Sequence, residues 1–282
     1  MPPPRRSPLW IRSLALGVGG VLASVFAFIM FSALEALARG RGLSLFGNLW
    51  SPGAGQFGIM PMIAASLLLS LSALALGWTV SLGCCCALHL RTCPRLSKLL
   101  MGILRFMTAM PTVVYGFAAV FLLVPLIRSA LGGSGFCWFT AGVVLALQGV
   151  PTMTLVMDGA MASLEKETGI TSAALGFTPL QHLVWVVLPS MKPWLFSAAV
   201  LGFGRAMGDT LIPTMLAGNA PQFPASPLDS VRTLTAHISL VLSSDMGGGE
   251  HLSLMLSGGI LLTISLLVSL TVRYISFRGR RR

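Results

Sequence analysis

Two ionisable side chains, Arg205 and Asp209, lie in the middle of the apolar run 194–216, which is long enough to cross a membrane and contains no other charge. An Arg or Asp at the centre of a spanning helix costs roughly 2.5–3.5 kcal/mol on insertion scales, so such residues usually face a protein interior or a wet pathway. Their four-residue spacing predicts that they share one helix face and can pair. A guanidinium partly neutralised by a carboxylate suits an anion that must cross. The alternative is a buried ion pair that only locks helix packing.

The composition is that of an integral membrane protein. Of the 282 residues, 55% are hydrophobic and only 10% are charged, which a soluble domain would not tolerate. The net charge of +11 could indicate nucleic-acid binding, but Lys and Arg cluster beside the ends of apolar runs and no basic stripe is interleaved with aromatic residues. We therefore expect no nucleic-acid partner and a lipid bilayer around the chain. The five cysteines indicate neither a disulfide framework nor a metal site.

Six apolar runs are long enough to span a membrane and predict an all-α fold. They cover about 11–34, 62–90, 101–127, 136–157, 194–216 and 252–275. An even number of spans places both termini on one side, and the basic residues on that side make it cytoplasmic. These are Arg5, Arg6, Arg12, Arg91, Arg95, Lys98, Lys166, Lys192, Arg273, Arg278, Arg280, Arg281 and Arg282. Residues 35–60 and 217–250 are predicted to be irregular loops on the outer side.

The cytoplasmic connection at about 158–193 differs from the loops because it has helical signals. Gly176 follows a short helical stretch, and Thr178 can cap a second helix with Pro179 in its first turn. We predict two short helices with a glycine bend, lying at the membrane surface. The second ends at Leu188–Pro189, and one of its faces carries Leu180, Leu183, Val184 and Val187. The alternative is an interfacial amphipathic helix without a partner.

This connection resembles the EAA loop of ABC-importer permeases, in which a glycine is followed twelve residues later by Leu-Pro. The matching positions are Ala174, Leu175, Gly176, Leu188 and Pro189. The Glu-Ala-Ala triplet itself would fall on residues 170–172, which read Ile-Thr-Ser, so the acid of the motif is missing. In that family the loop is a coupling helix that docks into a groove on a separate ATPase, and glycine permits the turn between its two helices.

Two further segments resemble permeases of phosphate ABC importers, the Pst family. Residues 205–219 are similar to the Arg-Ala-Leu-Gly-Glu-Thr segment in its PstC-type version, with Asp209 in place of Glu and an unusual Pro213 that should kink the span. The agreeing positions are Arg205, Ala206, Gly208, Thr210, Thr214, Met215, Gly218 and Asn219. Residues 110–117 are similar to the Pro-Ser-Val-Val-Tyr-Gly of the third span. There Pro111 should break the helix near the pathway, unless it is only a packing kink.

The resemblance implies a permease that moves phosphate across a bacterial inner membrane as a multi-pass subunit. Residues 1–61 would be a tail, the first span and an outer loop, and residues 62–282 the permease domain. Arg205 would bind phosphate transiently through bidentate hydrogen bonds, and Asp209 would keep that binding from becoming too tight. The neighbouring candidates for the pathway are Thr210, Thr214, Thr112 and Tyr115. The implied partners are an ABC ATPase, a second permease chain of the PstA type and an extracytoplasmic phosphate-binding protein.

The chain has no phosphate-binding loop of the form Gly-x4-Gly-Lys-Ser/Thr. We therefore expect that it is not an enzyme, that it has no cofactor of its own and that ATP is bound by a partner subunit. Three other functions stay open from the sequence: a permease for another oxyanion or small solute, a stand-alone ion-coupled transporter, and a membrane scaffold or sensor.

Overall fold

The chain is almost entirely helical, in a computed structural model that describes residues 9–38, 45–90, 94–242 and 248–279. The helices are α1 (Leu9–Ala38), α2 (Met60–His89), α3 (Pro94–Ala109), α4 (Thr112–Leu131), α5 (Trp138–Ala174), α6 (Pro179–Ser190, with a π-helical centre at His182–Val187), α7 (Lys192–Gly208), α8 (Leu211–Leu216), α9 (Leu234–Val241) and α10 (Gly249–Gly279). One antiparallel hairpin, β1 (Trp50–Ser51) with β2 (Gln56–Phe57), lies between α1 and α2.

Five of the described helices are long and apolar enough to cross a membrane, namely α1, α2, α4, α5 and α10. Helix α7 passes the same test only together with α6, from which it is bent by 69°, so the described helices account for five or six crossings. The predicted fold class, an all-α membrane protein, is confirmed. The cytoplasmic location of both termini stays a prediction, and Arg5, Arg6, Arg91 and residues 280–282, on which it partly depends, lie outside the described residues.

The third predicted span, 101–127, is two helices rather than one. Pro111 separates α3 from α4, so the predicted break is confirmed and the crossing helix begins at Thr112. Proline lacks the N–H that would bond to the carbonyl four residues earlier, which belongs to Met107. The hydroxyl of Tyr115 donates to that Met107 carbonyl at 2.8 Å. A side chain from the second helix therefore satisfies the acceptor that Pro111 leaves free.

The fourth span continues far beyond its predicted end at residue 157. Helix α5 runs without interruption to Ala174, so the first of the two predicted short helices is the end of α5 rather than a separate element. About two-thirds of the residues in the apolar part of α5 are buried, against one-third or less in the other four long helices, so α5 is the centre of the fold. It packs against α2 and α7, where Gly77 and Gly202 leave room for the Met153 side chain.

The second short helix, α6, forms as predicted at its start but not along its face. Gly176 adopts a positive φ of 79°, and Thr178 and Gln181 form a reciprocal capping box. The helix ends at Ser190, one residue beyond the predicted Leu188–Pro189 end. Among the four residues predicted to share a face, Leu183 and Val187 are buried, whereas Leu180 and Val184 are exposed. The π-helical turns at 182–187 change the angular spacing on which that prediction depended.

The outer segments are more ordered than predicted. Residues 45–59 contain the β-hairpin, and residues 217–242 contain the buried helix α9. The N–H of Leu234 at the start of α9 donates to the Ser66 hydroxyl of α2 at 2.7 Å. Residues 217–233 are irregular as predicted, whereas the hairpin and α9 are ordered elements that the prediction missed.

Candidate functional site

The fifth span is interrupted at the position where Arg205 and Asp209 were predicted to share a helix face. Helix α7 ends at Gly208, and Asp209 is extended with φ −74° and ψ 130°. Within the described residues no direct ion pair joins the two side chains, so the predicted i, i+4 pairing is wrong. The carboxylate of Asp209 instead accepts from the N–H of Ile212 at 2.9 Å and caps helix α8.

Pro213 explains the position of this break. Its missing N–H would have bonded to the carbonyl of Asp209, and its ring would have clashed with that carbonyl in a continuous helix. The chain therefore leaves the helical conformation at Asp209, four residues before the proline. The freed carbonyl accepts from the hydroxyl of Thr235 at 2.8 Å, so the first turn of α9 is attached directly to the break.

Gln148, on the central helix α5, connects the two charged side chains that do not pair. It is 4% exposed, and its orientation follows from its neighbours. Its Nε2 donates to Asp209 Oδ2 at 3.1 Å, and its Oε1 accepts from Arg205 Nη2 at 3.2 Å and from Thr112 Oγ1 at 2.7 Å. The opposite orientation would place acceptor against acceptor and donor against donor. One amide thus joins the break at Asp209 to Thr112, the first residue after the break at Pro111.

The other predicted pathway residues take different positions. Tyr115 is buried with its hydroxyl on the Met107 carbonyl, so it stabilises the Pro111 break and faces Arg205 only at longer range. Thr210 precedes α8, and the Thr214 hydroxyl donates to the Thr210 carbonyl at 2.6 Å. Both threonines are half-buried. The structure thus brings Arg205, Asp209 and Thr112 together around Gln148, with Thr210 and Thr214 on the next turn and Tyr115 in a supporting contact.

Arg205 lies in the last turn of α7 and is exposed. The outer side of the break, in contrast, is covered by a loop held in a specific shape. Gly218 and Asn219 both have positive φ, and residues 218 and 231 form a parallel bridge. Arg232 Nε donates to the Asn219 carbonyl at 2.9 Å. The site is therefore closed by the chain's own outer segment on one side and open laterally at Arg205.

The residues that resemble a coupling loop form one protruding corner. Ala174 ends α5, Gly176 makes the turn, and Leu188 and Pro189 lie at the far end of α6, next to the 69° bend into α7. Several apolar side chains of this corner are exposed. They are Ile170, Leu175, Phe177, Leu180, Val184 and Trp185, with Leu175 71% and Trp185 74% exposed.

A second polar cluster lies beneath this corner and was not predicted. Both ring nitrogens of His89, the last residue of α2, contact carboxylates of α5: Nε2 is 3.0 Å from Asp158 and Nδ1 is 3.1 Å from Glu165. The contacts tie the end of α2 to the extension of α5 that leads into α6. Sequence spacing gave no signal for it, because its members are about 70 residues apart and meet only through helix packing. Gln148 did have a signal, since an amide inside an apolar span is costly unless it has partners.

Comparison with known proteins places this geometry in a family. A family model described as the binding-protein-dependent transport system inner membrane component matches residues 79–281. The chain is 37% identical over 185 residues to the probable ABC transporter permease protein YqgH of Bacillus subtilis (strain 168), which covers 65% of this chain and 60% of that protein. It is 25% identical to the phosphate transport system permease protein PstC of Pasteurella multocida (strain Pm70), over 96% of this chain and 91% of that one.

Two solved structures share the fold. One is the MetNI methionine ABC transporter in an inward-facing conformation, with a TM-score of 0.56 and 16% identity over 83% of this chain and 97% of that chain. The other is a bacterial ABC transporter involved in import of the acidic polysaccharide alginate, with a TM-score of 0.53 and 15% identity over 97% of this chain and 98% of that chain. At these identities the likeness is one of fold alone. The family match begins at residue 79, and the predicted domain boundary at 61/62 stays a prediction.

Proposed function

The chain belongs to the family of binding-protein-dependent transport system inner membrane components, and from this premise we propose that it is the permease subunit of an ATP-driven importer of inorganic phosphate. Members of this family are multi-pass membrane subunits and not themselves enzymes. The observation that carries the phosphate assignment is the cluster of Arg205, Asp209, Thr112 and Gln148 at two helix breaks. The PstC relatives, which match across more than nine-tenths of the chain, support the same cargo.

Phosphate suits the chemistry of this cluster. The guanidinium of Arg205 can donate two parallel hydrogen bonds to phosphate oxygens, and the hydroxyl of Thr112 can donate a third. Thr210 and Thr214 lie on the following turn and would line the exit from the break. Asp209 stands beside the guanidinium without pairing to it, so it weakens the hold on an anion without removing the positive charge. Such a site binds transiently, as a translocation pathway requires.

The exposed position of Arg205 supports a second permease chain. A guanidinium that faced the hydrocarbon of the bilayer would cost several kcal/mol, so another protein surface or an aqueous cavity must cover it. We assign that surface to a related permease chain of the PstA type. Arg205 then lines a pathway between the two chains, and an extracytoplasmic phosphate-binding protein delivers the anion from the outer side.

The protruding corner supports docking of an ATPase. Six exposed apolar side chains gather around Gly176 and α6, and contiguous exposed apolar patches mark interaction sites. We propose that Ala174, Leu175 and Gly176 form one end of this docking surface and Leu188 and Pro189 the other. A push on α6 would pass through the bend at Met191 into α7, whose last turn carries Arg205. We assign ATP binding to that partner, because the sequence of this chain contains no Gly-x4-Gly-Lys-Ser/Thr loop.

The test is ATP-dependent uptake of radiolabelled phosphate by vesicles that contain this chain, its partner permease, the ATPase and the binding protein. We expect the wild type to accumulate phosphate in the presence of excess sulfate or molybdate, and Arg205→Gln to lose at least nine-tenths of the rate. The matched control is Arg273→Gln, which removes an exposed arginine near the end of α10 and should transport normally. Uptake that is inhibited by sulfate, or unchanged in Arg205→Gln with the complex intact, would contradict the proposal.

A further inference from the structure

The amide of Gln148 occupies the point at which the polar groups of the pathway converge. Three elements meet there: α5 with Gln148 itself, the end of α7 with Arg205, and the start of α4 with Thr112. The amide is 4% exposed, and all three of its hydrogen bonds are 3.2 Å or shorter. A buried polar group with this many partners holds its neighbours in fixed positions.

The pattern of these bonds is the one that a hydrogen-carrying oxyanion would make. One oxygen accepts from the guanidinium of Arg205 and the hydroxyl of Thr112, while a donor on the other side reaches the carboxylate of Asp209. Phosphate near neutral pH has both parts, because it carries acceptor oxygens and at least one P–OH group. Both anions are repelled by the Asp209 carboxylate, but phosphate can offset this by donating a hydrogen bond from P–OH, whereas sulfate has only acceptors.

We propose that Gln148 is a gate and positioning residue whose amide takes the place of the anion while the site is empty and gives way when the anion arrives. This inference rests on the proposed function and adds a feature to it: the site selects an oxyanion that still carries a proton. The amide also keeps Arg205 and Asp209 apart. Without it the two opposite charges would be free to pair directly, and the anion would have to break that pair in each cycle.

The first test is Gln148→Met, which preserves an unbranched side chain of similar length but forms none of the three hydrogen bonds. We expect the maximal rate of phosphate uptake to fall at least tenfold, while the apparent KM stays near that of the wild type because capture belongs to the binding protein. Gln222→Met is the control, since the Gln222 side chain is exposed on the loop between α8 and α9 and donates to the Ser230 carbonyl, away from the cluster around Gln148. Wild-type uptake by Gln148→Met would overturn the proposal.

The second test is Gln148→Glu, because a protonated carboxyl group has the same acceptor and donor as the amide. The ionisable groups around position 148 are Arg205 of α7, Asp209 at the break and Tyr115 of α4, which packs in the same cluster as Val144 and Leu145 of α5. Two carboxyl groups this close hold one proton between them and lose it as the pH rises. We expect uptake by Gln148→Glu, relative to the wild type, to be at least fivefold higher at pH 6 than at pH 8. A ratio that does not change with pH would contradict the stand-in role.

A third measurement does not depend on the cargo. The midpoint of thermal unfolding of the ligand-free full chain in detergent should fall between pH 6 and pH 8 for Gln148→Glu relative to the wild type, as two carboxylates come to face each other. If the wild-type complex does not transport phosphate but this difference in the unfolding midpoint is found, the proposed function fails, whereas the contact between position 148 and Asp209 is supported. Parallel midpoints in the two proteins would show that position 148 does not face Asp209, and the inference would fail.

Discussion

At the scale of single residues, both breaks in the spans are built in the same way. A proline removes an N–H donor, and a hydroxyl from elsewhere satisfies the carbonyl that is left: Tyr115 at the Pro111 break and Thr235 at the Pro213 break. Neither hydroxyl is then free for an anion. Tyr115, predicted from the sequence as a pathway residue, is accordingly a support for the pathway.

This assignment predicts the result of a double-mutant cycle. Tyr115→Phe removes the shorter of two hydrogen bonds to the half-buried Met107 carbonyl, which then accepts only from the Met110 N–H at 3.4 Å. The free energy of unfolding should therefore fall by about 0.5–1.5 kcal/mol. Pro111→Ala restores an N–H to that carbonyl, so the same Tyr115→Phe change should cost less than half as much in the Pro111→Ala background. Thermal or denaturant unfolding of the four purified proteins measures both costs. Equal costs in the two backgrounds would show that the hydroxyl does not compensate for the proline.

The sequence was sufficient to single out residues of the candidate site, but not to predict how their side chains are arranged. Arg205 and Asp209 were recognisable because charges are costly within an apolar run, and Pro111 marked a break for a local reason. The direct pairing of Arg205 with Asp209 was wrong because it assumed a continuous helix past Pro213. Gln148 carried the same cost signal, but its three partners come from other segments, and only packing brings them together.

At the scale of elements, helix α9, which covers the break at Asp209, contains a histidine that should make the stability of the fold depend on pH. His237 is fully buried, with its ring edge-to-face on Trp50 at a centroid distance of 4.4 Å and its Nε2 3.3 Å from the Ser253 hydroxyl. Burial, and to a lesser extent the charge of Arg232, lowers the pKa of His237 from 6.5 to about 3. The imidazole is therefore neutral in the folded chain at every physiological pH.

The sign of the pH effect follows from this lowered pKa. Between pH 6.5 and pH 3 the unfolded chain binds a proton at His237 that the folded chain does not. The stability contributed by the neutral imidazole is fully present above pH 6.5 and is lost as the pH falls below it. We expect the midpoint of thermal unfolding to fall more steeply from pH 7.5 to pH 5 in the wild type than in His237→Gln, which has no proton to gain. Identical slopes would mean that position 237 is already hydrated or protonated in the folded chain.

The elements were predictable where the signal is local and not where it is tertiary. The capping residues of α6 were readable because Thr178 and Pro179 act on their own helix. The length of α5 was not, because its extension beyond residue 157 is stabilised by contacts such as His89 with Asp158 and Glu165, which the sequence does not place together. The π-helical turn in α6 likewise changed which side chains face inward.

At the scale of the whole molecule, one chain does not enclose the proposed pathway. Helix α9 covers the break at Asp209, but the Arg205 side chain stays exposed. Leu201 lies one helical turn before Arg205 on the same face of α7 and is 37% exposed. If a second permease chain covers this face, a photo-crosslinking amino acid at position 201 should join the two chains in the assembled complex. The matched control is Leu16 on α1, which is 77% exposed. The most apolar part of α1 has no buried residue, so Leu16 should face lipid. Crosslinks to the partner permease from position 201 but not from position 16, detected by mass spectrometry, would place the pathway between the chains. If position 201 labels only lipid, this face of α7 is not covered by a second chain, and the prediction is wrong. Arg205 would then lie next to the bilayer, at the cost that makes such an arrangement rare.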